Sequence, residues 1–595
     1  MRLPANTLPY IRTRPSPYII RPHIKTFTSS VPSTFILPFD KANRKMINQN
    51  RKIELTPAED KLCGLLEEFR EFIAKTEPSG PQVECRIAGG WVRDKLLSLP
   101  CDDIDLALSN HTGHPFAIAF SSFLSNHHPE IPRTSVAKIE SNPEQSKHLE
   151  TAKQVIMGLD LDFVNLRNEE YTDGSRIPSE MKFGTPLDDA LRRDITINSL
   201  FYNVHTRAVE DHTQMGLTDL EHGLIRTPIE AHKTFEDDPL RLIRCVRFAS
   251  RYNFELTDDI REACKDDALK KGLRERISRE RVGIEIEKMF GHKNALYAFS
   301  LIDSLDLYDS IFVLPPVLAS TQTASPGPRS TALVAGYVLS HFLSSSPLPQ
   351  PARLESGEEL PVPAKALFAH INQDDIRKKL FLAACAAPWK NVRVKVKKTE
   401  QSAPEMLIKE AIKLSGAEAQ FVSKLYQSER PIHAISTGDA SDPRRRSTIG
   451  NVLRMPYVHD PSKSTTWDVS VFWSMLMELV PLYQIETNAF RQEAKEVVER
   501  FNRFTDDVVR LELPAAIESK PMMDGNAIQS SLGLPGGPMI KTILDKVVSW
   551  GFDHPTSSVE ECEIWMKDEF AKGNFGIISE SGGAVGKGKR KPKAA

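Results

Sequence analysis

Hydrophobic and polar positions follow two periods in the first half of the chain and mainly one thereafter. Thr56–Lys75 carries Leu62, Leu65, Leu66, Phe69 and Phe72 in 3–4 spacing, which predicts an amphipathic helix. In Arg86–Leu108 (RIAGGWVRDKLLSLPCDDIDLAL) a short apolar run meets Gly89-Gly90, then a helix over Trp91–Leu99, then a strand. Within that strand Asp103 and Asp105 alternate with Ile104 and Leu106, so both carboxylates share one face and the apolar residues the other. Ser109–Thr151 is polar and has no strong pattern, whereas Leu159–Leu166 (LDLDFVNL) alternates again and puts Asp160 and Asp162 together. Ala190–Asn203 sets Arg193, Asp194 and Asn198 ahead of an apolar segment, and Asp211–Leu220 (DHTQMGLTDL) reads as a turn, a place for a hinge, opening a helix. From Thr234 the pattern is helical, with Pro239 in a first turn and Arg241, Arg244 and Arg247 recurring every three residues. Ile277–Phe290 is a further amphipathic helix in which Arg279, Glu280 and Arg281 read as bracing charges. Pro315–Pro363 is rich in Pro and Ser and reads as a linker-like insertion. Helices follow over Ala364–Ala386, Met406–Tyr426, Val469–Tyr483, Phe490–Phe504 and Met539–Trp550.

Length and composition add bounds. The chain of 595 residues has room for roughly three or four domains. A net charge of −2 gives no global attraction to nucleic acid, so an RNA partner must be met by local patches. Lys390–Lys398 (KNVRVKVKK) and Arg444–Arg446 are such patches, each equally a solvated face, and Gly586–Lys593 (GKGKRKPK) reads as a disordered basic tail that could serve as a nuclear signal or an RNA contact. The seven cysteines are scattered and never in CxxC spacing, which argues for reduced thiols without a zinc site or disulfide framework. No apolar run approaches a membrane span. Residues 1–39 hold Arg2, Arg12, Arg14, Arg21 and Lys25 with no acid, the composition of a mitochondrial targeting segment. Initiation at Met46 would yield a second form destined for cytosol or nucleus.

The chemistry concentrates in Arg86–Leu108. Glycines at 89 and 90 let a backbone approach a ligand closely, and the helix start behind them offers N–H groups to an anion. Two carboxylates side by side repel unless a cation sits between them, and Mg²⁺ is the usual one. A DxD pair alone also describes solvated surface charges. Joined to the glycine turn in one short span, it reads as nucleotidyl transfer. Asp162 is a candidate third carboxylate or an edge-strand charge. Arg193 can meet phosphate, while Asp194 and Asn198, four apart, share a face if the segment is helical and can then bond ribose hydroxyls.

These residues resemble a known family. GGWVRD with DDID, then RRDITINS, DHTQMGLTDL, DDPLRLIRCVRF and ISRERVGIE follow the order of the five motifs of class II tRNA nucleotidyltransferases, the CCA-adding enzymes. Residues 521–555 also resemble the C-terminal segment of the eukaryotic members. The resemblance implies an α+β chain, with a nucleotidyltransferase (polymerase-β-like) head built on a mixed sheet and a mainly helical neck, body and tail. It divides the chain into targeting segment 1–45, head 46–225, neck 226–300, body 301–430 with insertion 315–363, tRNA-binding tail 431–580 and basic tail 581–595. The implied activity is template-independent addition of CCA to the 3′ end of tRNA from CTP and ATP, with pyrophosphate release, by a monomer without membrane association. A CC-only or A-only enzyme, or a poly(A) polymerase of the same superfamily, would share most of the motifs.

The resemblance assigns roles by position. Gly90 and Arg93 hold the triphosphate, Asp103 and Asp105 bind Mg²⁺ in two-metal chemistry, and Arg193 and Asp194 contact the nucleotide. Asp238 and Arg241 read the base, assisted by Asp237, with Arg244 and Arg247 nearby. An acceptor-only aspartate beside a donor-only arginine matches the edges of cytosine and adenine, and uracil and guanine reverse that order. Each mispaired buried group costs about 1–3 kcal/mol, so two mismatches give discrimination on the order of 10²–10⁴. Three residues apart, Asp238 and Arg241 are expected on one helix face.

Overall fold

The computed structural model describes residues 52–80, 82–101, 103–139, 151–170, 180–344, 348, 351–439 and 441–575. The expected targeting segment, Met46 and the basic tail from residue 581 lie outside the described residues.

The first helix, α1 (Pro57–Thr76), starts where a capping box forms: Thr56 Oγ1 accepts the Glu59 N–H, and Glu59 Oε2 accepts the Thr56 N–H at 2.7 Å. The same Glu59 is buried and also accepts Trp91 Nε1 at 3.0 Å and Lys95 Nζ at 2.7 Å. Its carboxylate therefore ties α1 to α2 (Gly90–Leu96), the short helix behind the glycine turn. This helix stops before the expected Leu99, because Ser98 takes a φ of 55° and Pro100 disfavours a helical residue before it.

Strands β1 (Cys85–Ala88), β2 (Asp103–Leu108), β3 (Ala137–Ile139), β4 (Thr151–Ile156) and β5 (Leu159–Asn165) belong to one sheet. After a separate hairpin, β6 (Arg167–Glu170) and β7 (Glu180–Phe183), the sheet gains β8 (Phe201–Asn203) and β9 (Ala208–Glu210). Its order is β3-β4-β5-β2-β1-β8-β9, with β2 and β5 parallel and the other pairs antiparallel. The mixed-sheet expectation holds. Ile104 and Leu106 are buried, as is Phe163, which packs on Phe116 of a helix that periodicity did not disclose. This helix, α3 (Gly113–His127), lies inside the stretch read as patternless. It buries Phe116, Phe120 and Phe123 against Phe69 of α1, and its polar residues are too few to mark an amphipathic stripe.

Beyond the sheet come α4 (Pro186–Leu191), α5 (Gly216–His222), α6 (Ala231–Asp237), α7 (Leu240–Tyr252), α8 (Asp258–Ala263), α9 (Asp267–Glu275) and α10 (Arg279–Phe290). The helical stretch from Thr234 is two helices, α6 and α7, and Pro239 opens the second as its N-cap, in keeping with its expected place at a helix start. Later helices include Asp374–Cys385, Gly416–Ser436, Trp467–Leu479, Glu493–Arg510 and Pro538–Asp553. Lys390–Lys398 contributes one strand, Arg393–Val396, of a hairpin with Thr399–Ser402.

The linker-like reading of 315–363 fails over Ser330–Phe342, a helix buried along most of its length that packs on Ala295–Ser304 and Asp374–Cys385. STALVAGYVLSHF has no polar face because it has no solvent face. Residues Met523, Ile528, Ile543, Val547, Cys562 and Met566 form a small separate core near the C-terminus. All seven cysteines are free thiols. Among the described residues no helix is long and apolar enough to cross a membrane.

Candidate nucleotide site

A cavity of about 610 Å³ opens between the sheet and α7, and arginines dominate its walls. Gly90 and Arg93 contribute from the glycine turn, Asp105 from β2, and Arg193, Asp194 and Asn198 from the segment after α4. The neck contributes Asp238, Arg241, Arg244 and Arg247.

Gly89 has φ 70°, and a Cβ there would come within 2.6 Å of Arg193 Nη1, so no other residue fits. The Arg193 guanidinium that packs against this turn donates to Asp189 at 3.0 and 2.9 Å and to the Asn198 carbonyl at 3.0 Å. Burial works to raise the Asp189 carboxyl, but Arg193 and Arg192 outweigh it and bring it down to about 2. Arg93 is buried, its guanidinium 4.7 Å from the Tyr252 ring centre, and donates to Asp94 at 2.8 Å and to Asn198 Oδ1. Asp94 in turn accepts Tyr252 Oη at 2.9 Å, so α2 behind the glycine turn is keyed into α7.

The register of β2 against β5 sets Asp103 beside Asp160 and Asp105 beside Asp162, four carboxylates on one face. Asp105 lines the cavity, while Asp103 is exposed at the start of its strand. Burial pushes the Asp105 carboxyl up to about 6, with Arg193 opposing and Asp103 and Asp162 adding to it. Asp162, the candidate third carboxylate, has a cationic neighbour on one of its oxygens. Lys153 of β4, its cross-strand neighbour, holds Asp162 Oδ2 at 3.1 Å. Among the described residues no three His, Cys, Asp or Glu side chains stand close enough to enclose a metal. Asp162 Oδ1 is nonetheless buried without a hydrogen-bond partner.

Asp194 and Asn198, the expected ribose contacts, line the cavity and are held by neighbouring groups. Asp194 Oδ2 accepts Arg244 Nε at 2.8 Å and Nη2 at 2.6 Å; Oδ1 accepts Asn198 Nδ2 and the Ile195 N–H, both at 2.9 Å. Four donors fill the acceptor capacity of a carboxylate. Burial alone would raise this carboxyl, yet Arg244 and Asn198 hold it well below the usual range. Asn198 sits in a 3₁₀ turn, Thr196–Asn198, so the expected helical spacing of four does not apply.

On the neck, Asp238 lies in the break before α7 with φ −140° and ψ 100°, off the helix that carries Arg241. Its Oδ1 accepts the Leu240 N–H at 3.1 Å and its Oδ2 accepts Arg281 Nη2 at 2.8 Å. Arg241 Nη2 donates to the Arg192 carbonyl at 2.5 Å. Asp237 is outside the cavity lining and pairs with Lys233 at 3.0 Å. Two partners on α10 were missed as site residues. Glu285 holds Arg247 Nε at 2.5 Å and Arg244 Nη1 at 3.4 Å, and Arg281, read as bracing, lines the cavity. Arg279 does brace: it donates to the carbonyls of Ala411 at 2.5 Å and Ser310 at 3.2 Å. A signal was available, since Arg281 and Glu285 are four apart and opposite in charge to Asp238 and to Arg244 and Arg247.

A mitochondrial CCA tRNA nucleotidyltransferase of Saccharomyces cerevisiae is 33% identical over 88% of this chain and 96% of its own length. The chain belongs to the CCA-adding tRNA nucleotidyltransferases. A tRNA nucleotidyltransferase of Schizosaccharomyces pombe is likewise 33% identical, over 87% of this chain and 97% of its own. Residues 85–226 match the poly A polymerase head domain, the span that holds the sheet and the glycine turn. Among solved structures, the Thermotoga maritima CCA-adding enzyme complexed with tRNA aligns over 87% of this chain and 96% of its own, at 16% identity and a TM-score of 0.52. The Bacillus stearothermophilus enzyme in complex with CTP aligns over 88% and 100%, at 18% identity and 0.51. The fold of this CCA-adding family member is therefore that of its bacterial counterparts, despite low identity.

Proposed function

We propose that the chain rebuilds the 3′ terminus of tRNA by adding C, C and A from CTP and ATP with release of pyrophosphate. One observation carries the reading: a single arginine-walled cavity receives the Gly89 turn, the Asp105 carboxylate and the Asp238–Arg241 segment together. The glycine turn with Arg93 and Arg193 holds the triphosphate. Asp238 and Arg241 select cytosine and adenine by their amino-plus-acceptor edges. Arg244 and Arg247, fixed by Asp194 and Glu285, supply positive charge at the nucleotide. Asp237, paired with Lys233, keeps the end of α6 in place.

The acidic face fits a divalent cation such as Mg²⁺. Its donors are hard carboxylate oxygens, Asp105 is raised by burial beside two other acids, and a buried Asp162 oxygen has no partner. Asp103 and Asp105 would hold the ion, and when bound it supplies charge neutralisation at the α-phosphate and a more acidic attacking 3′-hydroxyl. Lys153 takes one oxygen of Asp162, and the other, buried and without a partner, is left to join Asp103 and Asp105 as a third ligand.

The tail after residue 431 serves tRNA, and the acid-free N-terminal segment directs one form to mitochondria, with a Met46 form for cytosol and nucleus. The protein acts as a monomer. Incubation with tRNA lacking its last three nucleotides, each NTP singly and all together, followed by sequencing of product ends, tests the activity. Extension that stops at CCA is expected. Stopping at CC, adding A alone, or a long A tract would replace this reading. Asp105→Ala is expected to stay folded and bind tRNA while incorporating neither CTP nor ATP. N-terminal mapping in separated compartments tests the two forms, and one common N-terminus would refute them.

A further inference from the structure

The two base-reading side chains are each held from outside their pair. Arg241 leans on a backbone carbonyl, which cannot rotate away. Asp238 depends on side-chain geometry, because a carboxylate turns almost freely about its last torsion. Two bonds stop that rotation: Leu240 N–H to Oδ1 at 3.1 Å and Arg281 Nη2 to Oδ2 at 2.8 Å. The first is local to the start of α7. The second crosses to the first turn of α10, 43 residues on in the chain. One turn further along α10, Glu285 fixes Arg247 and Arg244. The same helix thus clamps both ends of the reading surface.

Base selection by hydrogen-bond pattern requires an acceptor at a defined point and angle, since the bond weakens steeply as it bends. An aspartate that swings would accept from an amino group or turn aside to tolerate a carbonyl. We propose that Arg281 is a positioning residue for nucleotide selection: its bond to Asp238 fixes the carboxylate plane that faces the base. This rests on the reading of Asp238 as a base-reading residue. The side chains of the pair are 26% and 18% exposed, so the bond is partly solvated and adds little to stability. Its loss should change discrimination and leave the fold in place.

The test uses the full chain, with kcat/KM for CTP against UTP and for ATP against GTP on tRNA of the appropriate 3′ end. Arg281→Gln is expected to melt with wild-type protein and to lose about tenfold or more of each preference, with kcat for CTP changed only a few-fold. Arg281→Lys, which can still donate to Asp238, should regain most of the preference. Added to Asp238→Asn, Arg281→Gln should change selectivity no further. Should the Gln protein not fold, Arg281→Met gives a second uncharged variant for the same measurements. Full discrimination in the uncharged variant beside lost discrimination in Asp238→Asn overturns the inference, as does equal loss in the Lys and Gln variants. Full discrimination in Asp238→Asn overturns the base-reading assignment itself.

Discussion

Glu285 carries a consequence that can be weighed. Its carboxylate is 4% exposed and accepts Arg247 Nε at 2.5 Å, while the Arg247 side chain is itself only 7% exposed. Burial lowers the Arg247 guanidinium even with Glu285 beside it, which marks how little water reaches the charge. Glu285→Ala strands that charge. Removing one partner of a buried pair costs about 3–5 kcal/mol. The lower end applies here, because the Phe248 ring lies 4.0 Å from the guanidinium and Arg244 keeps Asp194. A loss of about 3 kcal/mol is therefore expected from urea denaturation followed by tryptophan fluorescence. Replacing both partners, Glu285→Leu with Arg247→Met, deletes the stranded charge and should return stability to near the wild-type value or above it. ATP affinity, measured by filter binding, should stay low in that double variant because Arg247 has gone. A single variant that loses less than about 1 kcal/mol, or a double variant as unstable as the single, would refute the reasoning.

Arg241→Ile removes the donors of the proposed base-reading pair and should blur the preference for CTP and ATP over UTP and GTP by about 5–150-fold, the range of one mispaired buried group; unchanged preference in steady-state assays counts against it. Gly283→Ala would drive a Cβ to 1.9 Å from the Ile412 carbonyl, a backbone atom that cannot swing aside, so α10 must shift. Thermal melts should register a loss of about 1–3 kcal/mol or more, and an unshifted melt would mean that α10 does not pack there. Buried His341, on the helix Ser330–Phe342, is pushed down to about 4. The unfolded chain takes that proton near 6.5, so between pH 6.5 and 4 it binds more protons and the folded state loses up to about 3 kcal/mol as pH falls. Asp105, raised by burial, runs the opposite way. The measurement is therefore the difference between wild type and His341→Gln across that window, and a pH-independent difference would contradict the burial argument.

The chain's local chemistry was legible without a structure wherever function follows from period or backbone. Asp103 and Asp105 alternate with Ile104 and Leu106, and that alone puts both acids on one face. Gly89-Gly90 before a helix announced a turn that needs glycine, and Gly89 has a φ of 70° with Arg193 packed against it. The motifs in order identified the family. Four features were decided only by the tertiary structure. Asp162 went to Lys153 because strand order brought β4 beside β5. Asp194 and Asn198 gained Arg244 and Arg93 as partners, charges from other parts of the chain. Asp238 was left just before the helix that carries Arg241, and each was given an outside partner. The helix Ser330–Phe342, hidden in a Pro/Ser-rich span, exists because neighbouring helices cover every face of it. Periodicity is a property of a dozen neighbouring residues, whereas a salt-bridge partner or a covering helix is chosen by packing between segments far apart in sequence, and only the folded chain holds that information.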